Sequence, residues 1–483
     1  MYPFENLKPA EIWTYFHEIC QIPRPSKNEE KMINYLIDFA EKHGLDLKKD
    51  KIGNLVISKP ATAGFESLPS VVLQSHIDMV CEKNNETVHN FMTDSINPYI
   101  DREWVKAKGT TLGADDGIGI AAQLAILASK EIEHGHIECL FTVDEETGLT
   151  GAFELEPDMF SGKILINLDS EDEGEIFIGC AGGIGTIGYF NPEFEATSKD
   201  AFAFKVSVSG LKGGHSGDDI DKGLGNAIKI LNRYIYDATR QFGFQLATIE
   251  GGNLHNAIAR EASATGVVPW KYKEEVRVLI NCFIADLQEE IGKTEPHIKL
   301  HLESISLPEK ILTKDFHNRL VNTIYAMPHG VITMSSSVPG LVETSTNLAS
   351  INFEGEQLVI NTSQRSALES GINNIANMVD SVFKLGEATT KQTDGYPGWN
   401  PNPDSSILKT AVETYKMLFK TEPQVKAIHA GLECGLFLQK YPGLDMISIG
   451  PTIKGAHSPD ERLNIETVQK FWDHLLAILK HVA

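Results

Sequence analysis

The sequence predicts an α/β protein: a mixed sheet with helices on both faces, interrupted by an inserted α+β domain. Three observations predict it. Short apolar runs alternate with segments of helical periodicity along residues 54–168. The texture then changes, after GCAGGIG (179–185), to antiparallel-looking strands and helices. A stretch rich in Pro and Gly, DGYPGWNPNPDS (394–405), finally leads into a closing helix-strand-helix segment whose strand is DMISIGP (445–451). The expected organisation is one discontinuous domain, residues 1–186 and 396–483, with residues 187–395 inserted into it.

Each element has its own justification. From Glu11 to His43 apolar residues recur at helical spacing and IPRPS (22–26) breaks the pattern, which predicts two helices around a proline turn. NLVIS (54–58), VVLQSHI (71–77), IECLFTV (137–143) and ILINL (164–168) have strand length, and a helix at 117–129 lies between two of them. In the insertion, AFAFKVSVSG reads as a strand, residues 224–240 as a helix, and NLASINFEGEQLVINTSQ as a hairpin. The glycines of GCAGGIG are not read as a dinucleotide fingerprint, since no acidic residue follows at the proper point of a βαβ unit.

Composition narrows the function classes. A chain of 483 residues is long for one core and suggests several domains. With 43 Lys and Arg against 66 Asp and Glu, a formal charge of −23 repels phosphate backbones and anionic lipid, so neither nucleic acid nor a membrane is an expected partner. The six cysteines are scattered without a CxxC pair, and the N-terminal MYPFENLKPAEIWTYF lacks a basic start followed by an apolar stretch; both point to the cytoplasm. No segment approaches the ~20 apolar residues that span a bilayer. The longest apolar helix, Ile118 to Ala128, is interrupted by Gln123.

Chemistry concentrates in SHID (75–78), GADDG (113–117), DEE (144–146), LDSED (168–172) and GAHSPDE (455–461). Most of these follow an apolar run, at the strand ends where open α/β sheets bind ligands. Imidazole and carboxylate leave a divalent cation Lewis-acidic, whereas thiolates close a structural site. A paired site needs a bridging carboxylate and further ligands for each ion, and these segments supply that inventory. Asp78 follows His76 by two residues, so on an extended strand both side chains share a face and the carboxylate can orient the ring. Glu145 and Glu146 are adjacent and should diverge on an extended segment, one binding metal while the other handles a proton. Asp116 opens a helix and is expected to cap it.

These motifs in this order, with GGHSGDDI (213–220), GGNLHNAI (251–258), HAGLECG (429–435) and GYPGWNPNPDS, resemble the M20 family of metallopeptidases, and within it the aminoacyl-histidine dipeptidases. The resemblance implies a di-zinc catalytic domain in which Asp115 bridges the ions, Glu146 and His457 complete one site, and His76 and Asp169 the other. Zinc is the expected pair of ions, with cobalt or manganese accepted by the same ligands. It further implies Glu145 as general base with Asp78 beside it, a lid and dimerisation role for the insertion, and a homodimer. His215, on the same ground, stabilises the tetrahedral intermediate, in some relatives from a partner subunit. Asn256 can donate through its amide, and Arg365 offers a planar fork for a free carboxylate, which makes all three substrate-binding candidates. Glu433 in HAGLECG matches the family pattern without an assignable role. The expected activity is hydrolysis of dipeptides, aminoacyl-histidine and carnosine-like ones included. The alternatives are an N-acyl-amino-acid deacylase or other M20-type peptidase, and a non-catalytic metal- or peptide-binding protein, for which Glu145 would be superfluous.

Overall fold

Four apolar runs are buried along nearly their whole length, which suits parallel strands covered on both faces. They are Val71–His76 (β1), Ile137–Thr142 (β2), Ile164–Asn167 (β3) and Asp445–Ser448 (β4), paired in parallel in the order β2-β1-β3-β4. Leu55–Lys59 and Asp46–Lys49 extend the sheet antiparallel beyond β2, and Glu175–Cys180 and Gln424–Ile428 extend it beyond β4 to eight strands. This computed structural model describes residues 3–336 and 338–482.

Contacts divide the chain into two units: Met1–Gly179 with Pro401–Ala427 and Leu432–Ala483, and Cys180–Asn400 with Ile428–Gly431. In the first, helices Ala10–Cys20 (α1), Glu30–His43 (α2), Ala114–Ala128 (α3) and Ile465–His481 (α4) share one apolar core with the sheet. Local signals set their ends. Gly44, at φ +63°, adopts the left-handed conformation that closes α2, and Asn464 accepts the Thr467 N–H at 3.2 Å to open α4. Gln123 in the middle of α3 is fully buried and donates to the Ser75 hydroxyl at 2.7 Å, so the polar residue that interrupts the apolar run is a core contact.

The second unit is a nine-stranded antiparallel sheet with helices Ala227–Phe242, Glu275–Ile291, Lys314–Ala326 and Glu369–Leu385. Its long hairpin, Val342–Glu354 with Gln357–Ser366, pairs on its second arm with Gly182–Phe190. Phe204, Leu231, Tyr234, Phe244 and Leu348 centre a separate core. Asn226 starts the first helix by accepting the Ile228 and Lys229 N–H groups at 3.0 and 3.2 Å. The whole is a mixed α/β fold, and among the described residues no helix is long and apolar enough to cross a membrane.

Candidate metal centre

The parallel strands of the first unit deliver their polar residues to one edge. His76 ends β1, Glu145 and Glu146 follow β2, Asp169 follows β3, and His457 lies in the loops after β4, where its backbone takes a φ of +63°. Asp115 comes from the mouth of α3, where it and Asp116 depart from helical angles (ψ 112° and 35°). Asp116 then accepts the Gly119 N–H at 3.2 Å, the capping bond expected of it.

The five candidate ligands converge on Asp115. One oxygen of its carboxylate is 3.0 Å from His76 Nε2, and the other is 3.1 Å from His457 Nε2. His76 Nε2 is also 3.5 Å from Asp169, and His457 Nε2 is 3.0 Å from Glu146. Two triads result, His76-Asp115-Asp169 and Asp115-Glu146-His457, each with its ligand atoms within 4.8 Å of one another. Asp78 lies behind the first imidazole, 3.2 Å from His76 Nδ1, which leaves Nε2 facing the triad. The same carboxylate accepts the Glu145 and Glu146 N–H groups at 3.0 and 3.2 Å and the Ser26 hydroxyl at 2.8 Å.

One local expectation needs correcting. Residues 145–146 are not extended: Asp144 turns the chain at φ +48°, and Glu145 and Glu146 each bring a carboxylate oxygen within 4.8 Å of a His76 ring nitrogen. The two side chains therefore stay together instead of diverging, because two Asp78 oxygens hold consecutive main-chain N–H groups.

The electrostatics are those of a cation-binding cluster. Burial, then Asp169 and the neighbouring Glu146 and Glu433, push the Glu145 carboxyl well above its usual range. Burial, then Asp115, pushes Asp169 up to about 7, and burial, then Asp115 and Asp169, pushes Glu171 up to about 8. Hydrogen bonds to Asp115 and Glu146 raise His457 to about 11. In His76, burial opposes the charged ring, but Asp169, Asp115 and Asp78 outweigh it and shift its pKa well above the usual value. Carboxylates packed this closely repel one another as anions, and divalent ions displace protons from such donors. Glu146 Oε1 is buried with no hydrogen-bond partner, an acceptor that a cation satisfies. The donor set, nitrogen and oxygen without sulfur, fits a pair of divalent metal ions.

Two groups that sequence reading left aside brace this edge. Glu461 accepts the main-chain N–H groups of Leu112 and Gly113 on one oxygen and of Ala114 and Asp115 on the other, at 2.7 to 3.4 Å, and so ties the His457 segment to the Asp115 loop. Arg24, from IPRPS, is buried and donates to the carbonyls of Ile77, Asp78 and Gly113. Both were visible only as members of a motif and a turn, since their partners lie far away in sequence.

The three substrate-binding candidates lie in the second unit. Arg365 Nη2 is 3.4 Å from His215 Nε2, and Nη1 donates to the Tyr396 hydroxyl at 2.9 Å. Arg365 is only 7% exposed, its Nε has no partner, and no ion pair to a carboxylate is formed among the described residues. Asn256 is exposed, and its carbonyl accepts the Ser216 N–H at 2.8 Å, beside His215. Tyr396 and His429, the latter bonded to the Ser345 hydroxyl at 2.7 Å, belong to the same unit and carried no signal beyond their motifs.

Comparison with known proteins gives the family and the fold. Residues 72–481 match the family model described as Peptidase family M20/M25/M40. The chain is 43% identical over 482 residues to the cytosol non-specific dipeptidase of Escherichia coli strain K12, covering 100% of this chain and 99% of that relative. The crystal structure of an aminoacylhistidine dipeptidase from Vibrio alginolyticus is similar at a TM-score of 0.91 and 44% identity, over 99% of this chain and 98% of that one. A tripeptidase structure from Staphylococcus aureus shares the fold at a TM-score of 0.58 and 17% identity, over 99% of each chain.

Proposed function

The chain belongs to peptidase family M20/M25/M40, and on that premise we propose that it hydrolyses dipeptides, aminoacyl-histidine ones included, with two divalent ions held by His76, Asp115, Glu146, Asp169 and His457. The observation that carries the reading is the single Asp115 carboxylate presenting one oxygen to each of two imidazole-carboxylate triads. Zinc is the ion pair proposed. Bound there, the ions supply Lewis acidity that polarises a carbonyl and acidifies water.

The chain's own groups do the rest. Asp78 fixes the His76 ring with Nδ1 toward itself and Nε2 toward Asp115 and Asp169. Glu145, whose carboxyl is held high by burial and by neighbouring carboxylates, takes the proton of the attacking water and returns it to the leaving amine. Arg365 receives the substrate carboxylate: a buried guanidinium without a carboxylate of its own has that requirement open. His215 and Asn256 contribute donors to the developing oxyanion and the substrate ends.

The test is metal analysis joined to turnover of an L-Ala-L-His and N-acetyl-histidine panel, before and after chelation. Hydrolysis of the dipeptide, lost on chelation and restored by Zn2+, is expected; preference for the acylated amino acid, or turnover that survives metal removal, overturns the reading. We further place the protein in the cytoplasm as a homodimer. Six cysteines scattered without a CxxC pair and the cytosolic relative support the first, and the exposed apolar strand Gly330–Met334 of the inserted unit supports the second. A sedimentation mass of one chain would refute the dimer.

A further inference from the structure

Glu433, in HAGLECG, is fully buried and leads into the short helix Cys434–Lys440. One of its oxygens accepts the Gln74 amide at 2.6 Å and the Thr142 hydroxyl at 2.9 Å; the other is buried without a partner. Gln74 in turn accepts the Asn167 amide at 2.6 Å, Asn167 accepts the Ser448 hydroxyl, and Ser448 meets the Ser170 hydroxyl at 2.6 Å. Gln74, Asn167 and Ser448 are register partners across β1, β3 and β4, and Thr142 is the β2 partner of His76. Gln74, Thr142, Asn167 and Ser448 have no measurable exposure. A continuous row of polar side chains thus crosses the four buried parallel strands near their carboxyl ends.

Its placement is specific. Gln74 precedes His76 by two residues and Asn167 precedes Asp169 by two, so on each strand the row shares a face with the candidate ligand. Thr142 is the last residue of β2 before the loop of Glu145 and Glu146, and Ser170 adjoins Asp169. A row of this kind is a poor source of stability, because well-packed apolar residues of equal volume usually serve folding as well or better. What hydrogen bonds add is direction: they set how far each strand end slides and rotates relative to its neighbours. Glu433 anchors the row on a residue from a distant part of the chain, and it is not one of the groups whose ligand atoms converge.

We infer that Glu433 is a positioning residue, its carboxylate fixing through Gln74 and Thr142 the strand ends that carry His76, Glu146 and Asp169. The inference rests on the metal-site reading above and concerns geometry, so its decisive readout is metal affinity rather than turnover. The full chain is stripped with chelator, and Zn2+ binding is measured by calorimetry for wild type, E433Q, E433L and T142V, alongside the melting temperature of each metal-free chain. E433L keeps volume but offers no acceptor, and should weaken Zn2+ binding about 10- to 100-fold, the range found when groups supporting metal ligands are removed. E433Q retains an oxygen for Gln74 and Thr142 and should restore affinity to within about three-fold of wild type, by the same reasoning. T142V, which removes one donor from the row without removing Glu433, should fall between them with its melting temperature close to wild type.

Zn2+ affinity in E433L equal to wild type would overturn the inference. So would E433Q as weak as E433L, which would make charge rather than hydrogen bonding the cause. Should E433L fail to fold, T142V decides alone, and undiminished affinity there is refutation. A wild-type chain that takes up Zn2+ but leaves dipeptides intact would sink the proposed activity while the affinity series still judges Glu433; a wild-type chain that takes up no Zn2+ would sink both.

Discussion

Replacing Asp78 by Asn tests the centre most directly, because that carboxylate makes four contacts with no spare acceptor. Its oxygens receive the Glu145 and Glu146 N–H groups, one each, together with His76 Nδ1 and the Ser26 hydroxyl. An Asn side chain has one oxygen and one amide, so in either orientation a main-chain N–H of the Glu145-Glu146 segment faces a donor. If the amide turns toward His76, it also drives the ring proton to Nε2, the atom that faces Asp115. Losing one hydrogen bond to a charged group costs about 1.5 to 3 kcal/mol, and at about 1.4 kcal/mol per decade this is a loss of roughly ten- to a hundred-fold. Asp78→Asn should therefore lower both kcat/KM on L-Ala-L-His and Zn2+ affinity by that factor. Ser26→Ala removes one donor but leaves the His76 ring and both N–H groups held, and should fall at the lower end of that range, about ten-fold. The assays are steady-state kinetics at fixed free Zn2+ and calorimetric titration of the stripped chain. Asp78→Asn within two-fold of wild type in both would refute the argument that this carboxylate orients the ring and the loop.

Other perturbations address separate groups. Glu145→Gln should reduce kcat by about 10²- to 10⁴-fold, the usual contribution of a proton-transfer group, with metal content by elemental analysis unaltered; a large retained kcat would remove it as the base. Arg365→Ala should raise KM for peptides with a free carboxylate about ten-fold or more, as expected for a lost charge-assisted bond, while C-terminal amides change little; equal effects on both would exclude carboxylate binding. His317 provides a pH prediction: its Nδ1 accepts the Leu246 N–H at 3.2 Å, and burial lowers its pKa to about 4. Because the folded value lies below the unfolded 6.5, its neutral form contributes fully above pH 6.5, and the contribution is lost as pH falls toward 4, about 3 kcal/mol in all. Denaturant unfolding across that window should show a steeper decline for wild type than for His317→Gln, and identical slopes would refute it.

The strand ends were the legible part of this molecule. VVLQSHI and ILINL combine apolar runs of strand length with a polar residue at the close, and the parallel sheet aims each close at the same edge, which brings His76 and Asp169 to Asp115. Less legible were features that depend on which strands become neighbours. The contact of Glu433 with Gln74, and of Glu461 with residues 112–115, each joins segments more than three hundred positions apart. Nothing in local periodicity specifies such pairings. Glu145 and Glu146 failed to diverge for a related reason, since the turn at Asp144 is imposed by Asp78 and Glu29, which accept N–H groups from residues 144–146. The second unit also reclaims Ile428–Gly431 from the closing segment, a four-residue excursion with no compositional mark.

Glu461 has a consequence for the order in which the protein is made. Its carboxylate, four residues beyond His457, takes up the N–H groups that shape the Asp115 loop. A ribosome that has already released α3 has therefore built a loop whose final form awaits a segment more than three hundred residues further along. The acidic edge cannot close before Glu461 has left the ribosome, so a nascent chain stopped short of it is barred from assembling the edge.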